Sequence, residues 1–410
     1  MELLNSVAIL ITLAAVFGFI NARFIHLPTT IGIMLIALLC SLTLVIAGKL
    51  GFANISESAS DLLQNIDFHQ TLMQGMLSFL LFAGALHINL DDLSEQKWVI
   101  FILATFGVVT STFLVGSLTW VILDVLGLGI PFIYALLFGA LISPTDPIAV
   151  IGILKQAGVS KSLETKIAGE SLFNDGVGVV VFLVLLGIAT SGQTPTIVSV
   201  GLLFAQEALG GMVFGLVIGF IAFWMLRSVN NYQIEVLITL SLVMGGYALA
   251  TQLHLSGPIA MVVAGLLIGN QGRTLAMSDS TREHLDAFWE LLDEIFNAVL
   301  FVLMGLEILI LSFKEEYLLA ALVIIPLVLL ARLISIGLPI TVMRYFRTFS
   351  PRVVQMMTWA GLRGGISIAL ALSLPLGIER DIIVAITYAV VIFSIFVQGL
   401  TIKHFVSSRE

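Results

Sequence analysis

The chain has 410 residues, 59% hydrophobic and only 11% charged, against about 45–50% and 25% in a soluble domain. That balance excludes an ordinary water-soluble fold, and the lack of strand-like alternation excludes a membrane barrel. The formal net charge of −8 says little about partners and no nucleic-acid partner is expected; one cysteine, Cys40, excludes an internal disulfide and any cysteine-built metal site.

Apolar runs follow one another with short gaps, each approaching the ~20 residues that cross ~30 Å of hydrocarbon. They predict an all-α polytopic membrane protein of about 13 spans, at about 4–22, 30–48, 70–88, 98–124, 131–154, 164–190, 198–226, 233–252, 256–270, 291–312, 317–342, 352–375 and 381–404. The first run lacks the basic start and small-residue cleavage site of a signal peptide and is expected to be retained. With the N-terminus outside, the inner segments hold Arg23, Lys97, Lys155, Lys161, Lys166, Arg227, Arg273, Arg282, Arg344, Arg347, Arg352, Lys403 and Arg409, and the outer segments only Lys49, Lys314 and Arg380. This bias predicts an odd number of crossings in a cell inner or plasma membrane, N-out and C-in.

Along the chain, His87 ends span 3 beside Asn89, Asp91 and Asp92, either as an interfacial polar cluster or as a pH sensor. Span 5 contains "LISPTDPIAV", Leu141–Val150, where Pro144 and Pro147 flank Thr145-Asp146 and predict a helix break. An unwound segment at membrane depth frees carbonyls such as that of Thr145 and exposes helix ends that need an ion or a countercharge. Span 6 opens with "GESLFNDG". On a helix Ser171, Asn174 and Asp175 share a face bordered by Glu170, which converges a carboxylate, a hydroxyl and an amide carbonyl, hard oxygen donors suited to a small alkali cation. Gly169, Gly176 and Gly178 allow another backbone close by, or serve ordinary helix packing. Glu207 and Glu235 lie near span ends and are expected to reach headgroups. Residues 273–296 read as an inner loop with an amphipathic stretch, either a surface helix or a regulatory segment, and Glu307 could line an outer funnel. Arg332 lies in span 11, and span 12 has its own break in "WAGLRGGIS", Trp359–Ser367, around Arg363.

Asp146, Glu170, Asp175, Arg332 and Arg363 each cost at least ~2.5–3.5 kcal/mol at the centre of an isolated helix. Buried ion pairs that fix helix packing could account for the two arginines. Three acids against two bases leave at least one carboxylate for a cation or a proton. The breaks in spans 5 and 12 are seven spans apart, so the second set of spans is inverted relative to the first. Two inverted repeats, spans 1–6 and 8–13 joined by span 7, predict that the breaks cross at the midplane.

"SPTDP", "GESLFNDG", Arg332 and "GLRGG" together resemble the monovalent cation:proton antiporter-1 family, prokaryotic relatives of the animal sodium/proton exchangers, and the resemblance runs from the first span to the last. It implies the sodium/proton antiporter fold and a homodimer. It also implies a mobile core of spans 4–6 (96–190) and 11–13 (314–410), a scaffold of spans 1–3 (1–95) and 8–10 (231–313), and a linking span 7 (191–230). Carried onto this sequence, Asp175 is the main cation and proton carboxylate, Ser171 a hydroxyl ligand, and the Thr145 carbonyl and Asp146 come from the crossing. The Na⁺ ligands are thus Asp175, Ser171, Thr145 and Asp146. Asn174 is the neutral member of the Asn-Asp pair, Glu170 is held near Arg332, and Arg363 compensates helix ends and Asp146. The implied activity is exchange of a monovalent cation (Na⁺, Li⁺ or K⁺) for H⁺ by alternating access, electroneutral and one for one, with no cofactor and no enzymatic reaction. A cation channel is the first rival, but it would want a continuous polar stripe or repeated filter loops. An intramembrane aspartyl protease would want a Gly-X-Gly-Asp context, absent around Asp146 and Asp175.

Overall fold

Backbone in hydrocarbon must satisfy its own hydrogen bonds, and every regular element among the described residues is helical. The computed structural model describes residues 2–50, 68–146, 154, 159–191, 197–309, 314–350 and 352–407. Pro147, Lys155 and Arg409 lie outside the described residues. Among the described residues eight continuous helices are long and apolar enough to cross a membrane, and they correspond to spans 1, 2, 4, 6, 7, 8, 11 and 13.

The other five predicted spans are short, interrupted or charged. Span 3 is Leu77–Leu86 led by a π-helical turn, Thr71–Met76. Span 5 begins as Phe132–Ile142, span 9 is Gly257–Leu267, and span 12 is split into Val353–Ala360 and Gly365–Leu372. Span 10 is a single helix, Asp279–Leu306. Spans 4 and 11 pack on each other, and the second half of span 12 packs on the first part of span 5. The two inverted halves thereby meet at their broken members.

Span 10 corrects the sequence reading of residues 273–296. Ser278 caps the helix by accepting from the Thr281 N–H at 3.3 Å, so the acidic stretch is the first half of the span rather than a loop or a surface helix. One face of it is core. Trp289 is fully buried, its indole N–H donates to Thr239 Oγ1 at 3.1 Å, and its ring centroid lies 4.7 Å from that of Phe82. Arg273 pairs with Asp286, and Arg282 with Asp279 at 3.1 Å, which neutralises part of the charged face.

Glu235 is a second correction. It does not reach headgroups: it is only 1% exposed, one turn before Thr239 on the face of span 8 that packs on span 10. Glu207 is half-buried well inside the helix Ile197–Ser228. Glu307 is buried in the 3₁₀ turn that ends span 10.

Candidate functional site

Both breaks have local causes. Pro144 has no N–H to continue the ladder of Phe132–Ile142, so the helix stops and leaves its last carbonyls without intrahelical partners. Ser143 serves two of them, its hydroxyl donating to the Gly139 carbonyl at 2.6 Å and its N–H to the Ala140 carbonyl at 3.3 Å. One Arg363 guanidinium nitrogen donates to the next two carbonyls, of Ser143 at 2.6 Å and of Pro144 at 2.8 Å. A cation at a helix C-terminus also answers the negative end of the helix dipole. Span 12 unwinds over residues 361–364, and there the Asp146 N–H donates to the Leu362 carbonyl at 2.8 Å. The two unwound strands therefore bond directly where they cross.

Close approach explains one glycine on each side. A Cβ on Gly178 would lie 2.3 Å from Pro144, and one on Gly364 would lie 2.3 Å from an Asp146 carboxylate oxygen. Gly169 and Gly176 instead face the side chains of Ile100, Leu93 and Ile259, which is ordinary helix packing. Gly364→Ala is expected to displace the Asp146 carboxylate and to raise the apparent KM for the transported cation without loss of folded protein. Unchanged cation dependence in this variant would show that the contact does not matter.

Span 6 serves the span 5 break from the other side. Asn174 Oδ1 accepts from the Thr145 N–H at 3.2 Å, while its amide nitrogen donates to Thr145 Oγ1 and to Glu170 Oε1, each at 2.8 Å. Ser171 Oγ lies 3.0 Å from Thr145 Oγ1. An amide accepts from the Thr145 N–H and donates to Glu170 at once, which an ionised carboxylate could not do. Glu170 is held further by Arg332 in a two-pronged pair at 2.8 and 2.7 Å, with both residues buried.

The predicted residues thus fall into two layers. Thr145, Asp146 and Asp175 line a cavity of about 710 Å³. Glu170, Ser171, Asn174, Arg332 and Arg363 stand behind that wall and hold it in place. Glu164, at the start of span 6, His87, at the end of span 3, and Glu290, Asp293 and Glu294, on span 10, line the same cavity. Glu164 and His87 lie toward the side that carries Lys161, which pairs with Asp92 at 2.6 Å, and the span 10 acids continue the cavity to about the middle of the helix Asp279–Leu306. Toward the other side, the His69 Nδ1–H donates to the Ala369 carbonyl at 2.8 Å and ties span 3 to the second half of span 12.

Glu164 and the span 10 acids are charged lining residues that the sequence reading missed. For the span 10 acids the signal was present: positions 290, 293 and 294 share one helical face once the stretch is recognised as part of a span. Asn89, from the polar cluster after span 3, caps the next helix by accepting from the Asp91 and Asp92 N–H groups at 2.8 and 3.2 Å.

Comparison with known proteins places this arrangement. The family described as "Sodium/hydrogen exchanger, transmembrane" matches residues 9–408. The chain is 52% identical to the Na(+)/H(+) antiporter NhaP of Pseudomonas aeruginosa, over 98% of this chain and 95% of that one. It is 34% identical to the Na(+)/H(+) antiporter NhaH of Halobacillus aidingensis, over 98% and 96%. The solved structure of the sodium proton antiporter MjNhaP1 from Methanocaldococcus jannaschii superposes with a TM-score of 0.76 at 20% identity, covering 100% of this chain and 99% of that one.

Proposed function

The chain belongs to the sodium/hydrogen exchanger family, and from that footing we propose that it exchanges Na⁺, or another monovalent cation, for H⁺ at Asp175. One observation carries the reading: of the two carboxylates on the site face of span 6, Glu170 is taken up by Arg332 and Asn174, whereas Asp175 reaches the cavity at the crossing. A carboxylate this enclosed is costly unless neutralised, and a proton and a cation can each neutralise it. If the core changes its facing only when Asp175 is neutral, the two ions must alternate. The charge count supports one for one. At the crossing itself Glu170 is paired with Arg332 and Arg363 bonds the carbonyls just before Asp146, so three acids stand against two cations there, apart from the span 10 acids and Glu164 farther along the cavity.

The inner basic segments argue that the cavity opens to the cytoplasm, with the N-terminus outside, and the His69–Ala369 bond supports closure of the outer side in this conformation. Spans 4–6 and 11–13 act as the moving core against spans 1–3 and 8–10, as a homodimer in the cell membrane. Of the four expected Na⁺ ligands, Asp175, Asp146 and Thr145 reach the cavity, and Ser171, whose hydroxyl lies against Thr145 Oγ1, would join them only after a local shift.

Proton movement in proteoliposomes with a trapped pH dye tests the proposal, with Na⁺, Li⁺ or K⁺ pulsed in turn. Cation-dependent proton flux is expected, and it names the ion. Cation flux without proton movement would replace the exchanger by a channel. Asn174→Asp probes the charge count: a second carboxylate facing Glu170 is expected to change voltage dependence or pH profile. Exchange indistinguishable from wild type in both would remove the assigned role of Asn174.

A further inference from the structure

The span 12 break has backbone groups of its own to satisfy, and span 13 satisfies them. Span 13 carries a π-helical turn, Ser394–Gln398, inside an otherwise α-helical span. Such turns add a residue to the helix and turn side chains that regular geometry would leave elsewhere. Ser394 Oγ accepts from the Arg363 N–H at 2.9 Å, and the Gln398 amide nitrogen donates to the Trp359 carbonyl at 3.2 Å. Both side chains are buried. One stands at each end of the unwound segment.

The arrangement repeats, inverted, what span 6 does for span 5. There a polar side chain of the following span, Asn174, accepts the Thr145 N–H across 29 residues; here Ser394 accepts the Arg363 N–H across 31. The halves differ at the next residue. Asp175 follows Asn174 and lines the cavity, while apolar, buried Ile395 follows Ser394. One half carries the exchanging charge and the other has kept only the support.

We propose that Ser394 and Gln398 are positioning residues for ion exchange, which rests on the function proposed above. They fix the unwound segment of span 12. That segment holds the span 5 break by two routes, the Leu362 carbonyl on the Asp146 N–H and the Arg363 guanidinium on the Ser143 and Pro144 carbonyls. Thr145 and Asp146 are therefore placed by side chains that touch neither ion.

The test is the Na⁺ dependence and pH profile of exchange in proteoliposomes for Ser394→Ala, Ser394→Thr and Gln398→Met. Thr387→Val on the same span serves as control, since its buried hydroxyl has no hydrogen-bond partner among the described residues. Supporting groups behind an ion site commonly affect affinity or activity by about 10–100-fold. Ser394→Ala and Gln398→Met are expected to raise the apparent KM for Na⁺ by about 10-fold, with the rate at saturating Na⁺ largely kept, and Ser394→Thr to restore it. A purely structural role would lower the amount of folded protein and leave KM and pH profile unchanged, and that result would overturn the proposal. Should Ser394→Ala yield no folded protein, Gln398→Met decides by the same criterion, because its amide reaches the Trp359 carbonyl and not Arg363. Absence of exchange in the wild type would instead reject the proposed function, since a KM shift is read only against active protein.

Discussion

Replacing Asp175 by asparagine is expected to abolish cation-driven proton movement and to leave the protein at least as stable as the wild type. Asp175 is 8% exposed and sits in span 6 facing the cavity. A charge at membrane depth costs an isolated helix at least ~2.5–3.5 kcal/mol, so a neutral isostere relieves a cost rather than adding one. A side chain kept for packing behaves in the opposite way, since its loss lowers stability and reduces activity only in proportion to folded protein. Thermal unfolding in detergent together with flux in proteoliposomes separates the two. Residual exchange at the wild-type rate, or a clear drop in melting temperature, would deny Asp175 its role.

The second large effect is expected at Glu170 and Arg332. Their two-pronged pair is buried on both sides, and removing one partner leaves an uncompensated charge. Breaking such a pair costs about 3–5 kcal/mol, whereas replacing both members by neutral residues of similar volume costs far less. Arg332→Met and Glu170→Gln should each lower the unfolding midpoint strongly, and the double variant should recover much of the loss. Glu170→Gln also weakens the bond from the Asn174 amide, so its effect should reach the Thr145 side of the site. Additive losses in the double variant would mean that the pair does not act as a unit.

The parts of the site that could be read from the sequence are those where polarity interrupts hydrocarbon. Asp146, Glu170, Asp175, Arg332 and Arg363 stand out because lipid tolerates none of them unpaired, and Pro144, Gly361 and Gly364 mark breaks because backbone geometry and close contact require them there. The division into two layers was not legible. Ser171 and Asp175 lie on one helical face, yet only Asp175 lines the cavity, a distinction set by the span 5 break packed against them. Span 10 misled for a related reason. Arg273–Phe296 has the composition of a surface segment, and its burial depends on Thr239, Phe79 and Phe82 from distant spans. Glu235 looked like a headgroup contact from its place near a span end, although that end packs against span 10. Ser394 and Gln398 gave no signal, because single polar residues in an apolar span are common and a π-helical turn leaves no mark in composition.

The central claim is that one cation displaces one proton from Asp175, and the condition of zero net flux tests it most directly. Proteoliposomes would be given Na⁺ and H⁺ gradients of the same direction, which drive the exchanger oppositely, at several clamped membrane potentials, and the gradient ratio at which proton movement stops would be recorded. One-for-one exchange predicts that flux vanishes when the two gradients are equal, at every potential. A balance point that moves with voltage would contradict the account, because it would require a second charge at the site beyond the one that Asp175 carries.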